Sequence, residues 1–248
     1  MAGATLLLAC LGGCGSAPIE AVSIVPRNLM TGLIAHWTFD DTLADVTGNG
    51  HDAQFVSGVG TWAPGRFRDG LRLQTTESLT IPGFPQLTND WTVSVWIKMS
   101  QADRMAFTAE RAVLLSAEKA GAGGWEIEFD PRAGFHWLEA SYFVSVPATD
   151  YVVLDCKCID SDGWMHFAAV FDMTAAQKNF SLYHDGVLTD RAAIPAPVLP
   201  GSTDLGIGQW DKGPRPISGV IDDYAIWSRA LTADEIGAIY AQPVPDMP

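Results

Sequence analysis

The sequence predicts an all-β protein, an antiparallel β-sandwich of the jelly-roll type that is closed by one short C-terminal helix. About a dozen short segments rich in β-branched and aromatic residues follow one another at intervals of roughly 8–12 residues, separated by Gly, Asp, Asn and Pro. Only the last segment has a convincing helical pattern. No internal repeat or linker divides the chain after residue 32, so we predict one domain over residues 33–242 and a tail at residues 243–248.

Individual stretches show the strand pattern clearly. Residues 91–98 alternate with a period of two, so that Trp, Val, Val and Ile share one face and Thr, Ser, Trp and Lys share the other. Asp185-Gly186 between two apolar runs predicts a tight hairpin, because its turn requires positive φ. A second hairpin is predicted at residues 131–134. Residues 141–162 lack a pattern, and either an additional hairpin or a long loop is possible there.

The closing stretch, residues 219–242, combines a strand with the helix. Its strand is rich in Ile, Tyr and Trp but contains two adjacent carboxylates, Asp222 and Asp223. Burying a carboxylate among apolar side chains is costly unless a partner neutralises it. The helix is predicted to begin at a capping box, in which Thr232 and Glu235 satisfy each other's backbone amides, and a proline ends it.

Composition excludes some classes of partner. The chain has 248 residues, 48% of them hydrophobic, and nine Trp, which is enough for a sizeable core. Its formal net charge is −14. Such a surface repels nucleic acid and anionic lipid, and it favours divalent cations.

The N-terminus, residues 1–14, resembles the signal segment of a bacterial lipoprotein. The apolar run at residues 4–11 is too short to span a bilayer, and it leads to Leu-Gly-Gly-Cys, a lipobox-like sequence whose cysteine, Cys14, is the expected lipidation site. Cys10 fits the same pattern with a shorter apolar run before it. No Lys or Arg precedes the run, as a secretory segment should have, so an ordinary buried segment is the alternative. We expect a lipid-anchored protein of the cell envelope, at the outer membrane, or a secreted one, with residues 15–32 as a tether.

The other two cysteines form a Cys-x-Cys pair, Cys156 and Cys158. In an extended strand the two side chains would lie about 6.6–7 Å apart along the chain, at or beyond the usual limit for a disulfide. Two partly buried thiols or a local disulfide are the expected states. A zinc site is not predicted, because no matching His or Cys cluster lies nearby in the sequence.

Five motifs, in order, resemble those of the laminin G-like, concanavalin A-like jelly-roll domains of secreted bacterial proteins. The motifs are Trp37-Thr38-Phe39-Asp40-Asp41 with Asp45-Val46-Thr47-Gly48-Asn49, residues 65–73, residues 164–172, residues 182–188, and Ile221-Asp222-Asp223 through Tyr240. Each motif alone is weak, but five in sequence are specific. The resemblance covers residues 33–242 and implies that the first and last strands pair.

Domains of this family typically carry a calcium ion, so the resemblance implies one here. Calcium takes six to eight oxygen ligands at about 2.3–2.6 Å. If the end strands pair, the closing carboxylates lie beside the acidic loop at residues 40–49. The predicted ligands are Asp40, Asp41, Asp45, Asn49, Asp222 and Asp223. The alternative for the loop is that its Asp residues only form turns through Asx hydrogen bonds.

Three alternating carboxylates raise the possibility of an enzyme. Glu126, Glu128 and Asp130 would share one strand face, and sugar-cleaving relatives of the fold use a similar Glu-x-Asp-x-Glu strand. The order here is Glu-x-Glu-x-Asp, which changes the length of two of the three side chains. The alternative is the exposed face of an acidic hairpin strand. The five His residues are scattered and give no signal for Ser/His/Asp chemistry; His166, within a strand, is predicted to be a hydrogen-bonded structural residue.

The sequence therefore predicts a non-catalytic extracellular module that binds carbohydrate or protein and is stabilised by calcium, with a weak glycoside hydrolase as the alternative. Sugars are commonly bound by an aromatic ring with a few polar groups. Trp210, in a polar loop, is the predicted ligand-binding residue, and Trp62 lies in another loop. We expect a monomer that binds no nucleic acid and meets a membrane only through its lipid anchor.

Overall fold

The computed structural model of this chain describes residues 27–106, 111–130, 137–144, 151–159, 161–175, 179–195 and 199–244. The strands are β1 Leu33–Trp37, β2 Gln54–Ser57, β3 Thr61–Pro64, β4 Asp69–Leu73, β5 Ser78–Ile81, β6 Trp91–Lys98, β7 Ala112–Ser116, β8 Gly124–Asp130, β9 Trp137–Phe143, β10 Tyr151–Cys156, β11 Trp164–Phe171, β12 Phe180–His184, β13 Val187–Ala192, β14 Leu205–Ile207, β15 Gln209–Trp210, β16 Gly213–Pro214 and β17 Gly219–Trp227. The helices are α1 Gln101–Met105 and α2 Ala233–Ala241, with a 3-10 turn at Arg27–Met30.

The strands of the described residues form two large antiparallel sheets, which confirms the predicted all-β sandwich. The first sheet has the order β13-β12-β11-β6-β17-β4-β3, and β1 also pairs with β17. The second sheet has the order β10-β9-β8-β7-β14-β5-β2. Strands β15 and β16 make a separate small hairpin. Strands β7 to β10 and β11 to β13 are consecutive neighbours, whereas β17 pairs with β1, β4 and β6 and β14 pairs with β5 and β7, so the C-terminal part of the chain completes both sheets.

The main core lies between the two sheets. The apolar face of β6 points into it as its period of two predicts, and Trp91 stacks on Trp125 of the second sheet with ring centroids 5.0 Å apart. The other face of β6 is also buried, because α2 covers this part of the first sheet. Trp96 on that face stacks on Tyr240 of α2 at 5.6 Å. The molecule is therefore layered as helix, sheet and sheet.

Both helices begin at capping boxes. In α2 the Thr232 hydroxyl accepts the Glu235 amide, and the Glu235 carboxylate accepts the Thr232 amide, as predicted. Hydrogen bonds from Arg229 and Thr232 outweigh the effect of burial and lower the pKa of Glu235. Helix α1 is a second helix that the sequence pattern did not reveal, because it has only five residues; Ser100 and Asp103 form its capping box.

The unpatterned region contains an additional strand. Strand β10 pairs with β9 at the edge of the second sheet. Cys156 is its last residue, so the chain is no longer extended between the two cysteines; their Cα atoms are 5.2 Å apart and a disulfide joins Cys156 to Cys158. This is the local disulfide, one of the two expected states.

Packing extends a few residues beyond both predicted domain limits. The indole of Trp227 donates to the carbonyl oxygen of Leu29 at 2.7 Å, and Leu29 is buried. Val244 is buried at the other end. Cys14 and the predicted signal segment lie outside the described residues. Among the helices that are described, none combines the length and the apolar character that crossing a membrane requires.

Candidate functional site

The last strand changes its partner at the two adjacent carboxylates. Residues 219–221 of β17 pair with β4, and residues 224–227 pair with β1. Asp222 and Asp223 lie at the junction, where the register of β17 against β6 shifts and Asp223 has a φ of +48°. The ladder of backbone hydrogen bonds is interrupted there, so nearby backbone amides donate to the side-chain carboxylates instead.

The Asp222 carboxylate accepts hydrogen bonds from backbone amides in the turn between β3 and β4. Its Oδ2 accepts the amides of Arg66 at 2.6 Å and Phe67 at 2.9 Å. Burial, together with the charges of Asp223 and Asp40, raises the pKa of Asp222 to about 7 even though those two amides lower it. Asp222 therefore remains a carboxylate with too little positive charge around it.

Asp223 joins both ends of the domain. Its Oδ1 lies 2.6 Å from Nε2 of His36 on β1, and its Oδ2 accepts the amide of Val244 at 3.1 Å. Both His36 and Asp223 are buried. The burial problem that the sequence posed is thus solved differently for each carboxylate, by backbone amides at Asp222 and by an imidazole at Asp223.

The structure brings one member of the acidic loop to this pair. Asp40 joins Asp222 and Asp223 in a cavity of about 150 Å³, which we call the end pocket. The end pocket is lined by Thr38, Asp40, Phe67, Arg68, Asp222, Asp223, Pro243 and Val244. Asp40 has two other partners, since its Oδ1 accepts the amide of Asp69 at 3.0 Å and its Oδ2 accepts from the exposed Arg68 at 3.3 Å.

The other predicted loop ligands do not line the end pocket. Asp45 accepts the amides of His36, Thr47 and His51, and is therefore the Asx-type turn-former of the alternative interpretation. Asn49 donates to the carbonyl oxygen of Ile34 at 3.0 Å. Asp41 is exposed, with a φ of +52°.

The residues of the end pocket suit a calcium ion in their chemistry, but their ligand oxygens are not all within 4.8 Å of one another. Three carboxylates, Asp40, Asp222 and Asp223, offer the hard oxygen ligands that calcium prefers. Among the described residues, the group of three or more metal-ligating atoms that lie within 4.8 Å of one another is Cys156, Cys158 and His184. That group consists of sulfur and nitrogen atoms, with both sulfurs in a disulfide, so it does not match calcium.

A second cluster of charges lies on the outer face of the second sheet. The apolar side chains of β8 enter the core, so Glu126, Glu128 and Asp130 point away from it. The expectation of an exposed acidic face is wrong, since all three carboxylates are buried. Arginine side chains from other parts of the chain cover them.

Two arginines neutralise most of this cluster. Arg111, just before β7, contacts Glu128 and lies 3.4 Å from Asp130 and 3.0 Å from Glu139. Arg215, after β16, lies 3.3 Å from Glu128. Sequence reasoning missed both arginines, because neither lies near the β8 carboxylates along the chain.

A carboxyl pair remains beside the arginines. Burial, the charge of Glu126 and a hydrogen bond between the two carboxyl groups together raise the pKa of Glu118 to about 8, although Arg215 and Lys212 lower it. Burial also raises the pKa of Glu126, against the effect of Arg215 and Arg111. The pair therefore retains a proton at neutral pH. The alternation at the end of β7 could have indicated Glu118, because Glu118 follows Ser116 by two positions and so falls on the same face of the strand.

These groups line a cavity of about 330 Å³, which we call the outer-face pocket. Its lining is Arg111, Glu118, Ala120, Gly121, Glu126, Ser141, Phe143, Tyr151, Trp210, Lys212 and Arg215. The predicted Trp210 is thus brought to the same pocket as Glu126. Its ring lies 3.9 Å from the Arg215 guanidinium carbon, and Lys212 approaches it at 5.3 Å.

Two buried polar atoms of the outer-face pocket lack partners. Ser141 lies opposite Glu126 across the β8–β9 pair. Within the described part of the chain, no N–H or hydroxyl group donates to Oε2 of Glu126, and Oγ of Ser141 has no hydrogen-bond partner. Glu126 is 3% exposed and Ser141 is 1% exposed. Unpaired buried polar atoms are costly, so such a pair beside a cavity indicates a ligand position.

The carboxylates do not match the geometry of a retaining glycosidase. That reaction needs two carboxyl groups about 5–5.5 Å apart with the sugar between them. Glu118 and Glu126 share a hydrogen bond, while Glu128 and Asp130 are held by Arg111. His166 has the predicted structural role, since its Nε2 lies 2.8 Å from Oγ of Ser94 and burial lowers its pKa to about 3.

Comparisons with known proteins agree with this architecture. A family model described as the concanavalin A-like lectin/glucanases superfamily matches residues 73–237. Curated proteins contain no sequence that matches the chain.

Similar solved structures are binding domains. Domain 4 of AbnA, an extracellular arabinanase from Geobacillus stearothermophilus solved with arabinotriose, superposes with a TM-score of 0.65 at 22% identity, over 85% of this chain and 98% of that domain. The binding domain of Paraclostridial Mosquitocidal Protein 1 gives 0.67 at 17% identity, over 84% and 52%. The ligand-binding domain of botulinum neurotoxin serotype D, solved with N-acetylneuraminic acid, gives 0.65 at 16%, over 85% and 50%. This chain spans about half the length of the toxin domains.

Proposed function

We infer that this chain, which belongs to the concanavalin A-like lectin/glucanases superfamily, is a non-catalytic extracellular module that binds carbohydrate in the outer-face pocket. The observation that carries this proposal is the pair of buried, unpartnered polar atoms, Glu126 Oε2 and Ser141 Oγ, in a cavity with aromatic side chains. Sugar sites combine an aromatic surface with a few placed polar groups. The sugars bound to the arabinanase domain and to the neurotoxin domain support the same class of ligand.

The proposed calcium site is the end pocket. Asp40, Asp222 and Asp223 would hold the ion, which would neutralise their charge and join the acidic loop to the last strand. Its role is structural, because the end pocket and the outer-face pocket share no lining residue. Since the ion binds only the folded chain, a calcium chelator is expected to lower the melting temperature by several degrees. An unchanged melting temperature in purified protein that contains no metal would exclude the ion.

Lipid anchoring through Cys14 to the cell envelope, at the outer membrane, remains part of the proposal. Metabolic labelling with a radioactive fatty acid tests it. Label should enter the wild-type protein and be absent from Cys14→Ala, while Cys10→Ala keeps the label. Label that follows Cys10 instead would move the anchor, and no label in either protein would reject it.

A glycan array, run with and without calcium, tests the binding function. We expect binding to one class of glycan, with a loss of more than tenfold in Trp210→Ala. Trp62→Ala is the matched control, since Trp62 is 41% exposed and does not line the pocket. Reducing-sugar release from the bound glycans should be absent. Binding to no glycan, with capture of a protein ligand instead, would overturn the carbohydrate proposal.

A further inference from the structure

The outer-face pocket carries more negative than positive groups. Among the described residues, five carboxyl groups surround it or lie directly behind its wall, against three cations. The carboxyl groups are Glu118, Glu126, Glu128, Asp130 and Glu139, and the cations are Arg111, Lys212 and Arg215. A surplus of negative charge in a partly dry site is costly unless protons or a cationic ligand compensate it.

The surplus is concentrated on the carboxyl pair. The two arginines are occupied by Glu128, Asp130 and Glu139, and Arg215 approaches Glu126 only at 3.5 Å. Among the described residues, no Lys, Arg or His lies within ion-pair distance of the Glu118 carboxylate. Glu118 and Glu126 both line the cavity, and in the described part of the chain no ion pair links a cation to Glu118.

We propose that the outer-face pocket binds an amino sugar, with the ligand's ammonium group placed between Glu118 and Glu126 and next to Ser141. This inference rests on the proposed function and names its ligand class. An ammonium group has three N–H donors and no acceptor. The pocket supplies matching acceptors in Glu126 Oε2, the Glu118 carboxylate and Ser141 Oγ, the first and last of which lack a donor in the described chain.

The rest of the lining suits the sugar ring. Trp210, Phe143 and Tyr151 contribute aromatic surface, and Tyr151 is half exposed, with its ring 5.7 Å from that of Phe143. A volume of about 330 Å³ is at the lower end of ligand pockets, so one or two sugar units fit.

Charge balance gives the binding reaction a signature. The carboxyl pair retains a proton near neutral pH, because burial and mutual repulsion raise the pKa of Glu118 to about 8. An incoming ammonium group replaces this proton as the compensating charge, so the proton leaves to the buffer. A neutral sugar has no such effect. Proton release on binding therefore separates recognition of an amine from recognition of hydroxyl groups.

The test uses three β-1,4-linked tetrasaccharides, of glucosamine, N-acetylglucosamine and glucose, titrated into the full chain by calorimetry near pH 5.5, about two pH units below the pKa of an α-amino group, so that the amine is charged before it binds. We expect the glucosamine oligomer to bind at least tenfold more tightly than the other two. Titrations in two buffers of different ionisation enthalpy should show proton release for the glucosamine oligomer alone. Glu126→Gln should remove the preference. Asp234→Asn, an exposed change on α2, is the matched control.

Each outcome decides the proposal. Equal affinity for the amino and N-acetylated oligomers would reject recognition of the amine while carbohydrate binding stands. A preference for the amine that persists in a folded Glu126→Gln variant, as judged by its melting temperature, would reject the pocket. Binding of none of the three, with a positive glycan array, would reject the ligand class alone. A negative array as well would reject the proposed function.

Discussion

Nε2 of His36 lies 2.6 Å from Oδ1 of Asp223, although 187 positions separate the two residues in the sequence. The contact joins the first strand to the last strand inside the domain, with both side chains buried. It gives a buried carboxylate oxygen a hydrogen-bond partner from the other end of the domain. The contact therefore has a specific consequence for stability.

Removing the imidazole should destabilise the domain strongly. His36→Ala leaves the amide of Val244 as the remaining donor to Asp223 among the described residues, and a buried acceptor that loses its partner costs about 1–3 kcal/mol, and more if it is charged. Urea unfolding measures this. Asp41→Asn is the control, because Asp41 is exposed and Asn tolerates its positive φ, so a change within about 0.5 kcal/mol is expected. A loss below about 1 kcal/mol in His36→Ala would show that the contact contributes little.

The capping box of α1 should contribute more to the free energy of unfolding than the exposed ion pair nearby. Asp103 accepts from Arg72 of β4 at 3.0 Å and from Ser218, the residue before β17, at 2.6 Å, so it joins α1 to the first sheet. Asp103→Asn is expected to cost about 2–3 kcal/mol in urea unfolding. Asp162→Asn, which breaks the largely exposed pair with Arg104, should cost about 0–1 kcal/mol. Equal effects would contradict the assignment.

The same carboxylate should make the domain sensitive to acid. Burial raises the pKa of Asp103, but hydrogen bonds from Arg72, Ser218 and Ser100 outweigh it and hold the pKa well below its usual range. A carboxyl group with a lowered pKa stabilises the folded state above its unfolded pKa of about 3.9 and loses that effect as pH falls. The melting temperature should therefore drop more steeply below about pH 4 in wild type than in Asp103→Asn.

Glu118 should make the domain less stable at high pH, whereas Asp103 makes it less stable at low pH. Its pKa is raised to about 8 by burial and by Glu126, so the folded state holds a proton that the unfolded state has released. Stability is then lost as pH rises from the unfolded pKa of about 4.3 through the folded pKa. Melting temperatures between pH 5 and 9, a range chosen from these values, should fall in wild type and fall less in Glu118→Gln. Parallel curves would contradict the raised pKa.

One glycine is required by close approach rather than by its φ angle. A Cβ at Gly65 would lie 2.2 Å from the carbonyl oxygen of Asp69 and 2.7 Å from Oδ2 of Asp222. Gly65→Ala should therefore displace the turn that Asp222 holds and destabilise the domain by about 1–3 kcal/mol. Gly48→Ala is a less crowded comparison, since no atom lies within 4 Å, and only its φ of +77° is unfavourable. A smaller loss at Gly65 than at Gly48 would contradict the steric argument.

The strands were predictable where one of their faces is apolar. Residues 91–98 show this directly, because the alternation of side chains follows from backbone geometry alone. The capping box of α2 was predictable for the same reason, since Thr232 and Glu235 are three positions apart and interact within one turn. Strand β10 and helix α1 were not predicted, because their short segments have too few turns or repeats to give a period.

The two pockets depended on contacts that no local pattern records. Asp40 was correctly expected near Asp222 and Asp223, since pairing of the end strands follows from the family resemblance. Arg111, Arg215 and their carboxylate partners could not be inferred, because loops on either side of β8 bring them together. The arginine side chains cover the face of β8 that was expected to be exposed, so its carboxylates are buried.

The sequence by itself therefore determined the all-β class, the strand alternation of residues 91–98 and the capping box of α2, because side-chain period, caps and turn chemistry act over a few neighbouring positions. Only the tertiary structure decided the surroundings of each carboxyl group. Asp45 accepts amides of its own loop and Glu128 lies beside two arginines, whereas burial beside a cavity raises the pKa of Asp222 and of Glu126. That difference arises from burial and from contacts between distant segments, which set the pKa of a carboxyl group and its freedom to bind a ligand.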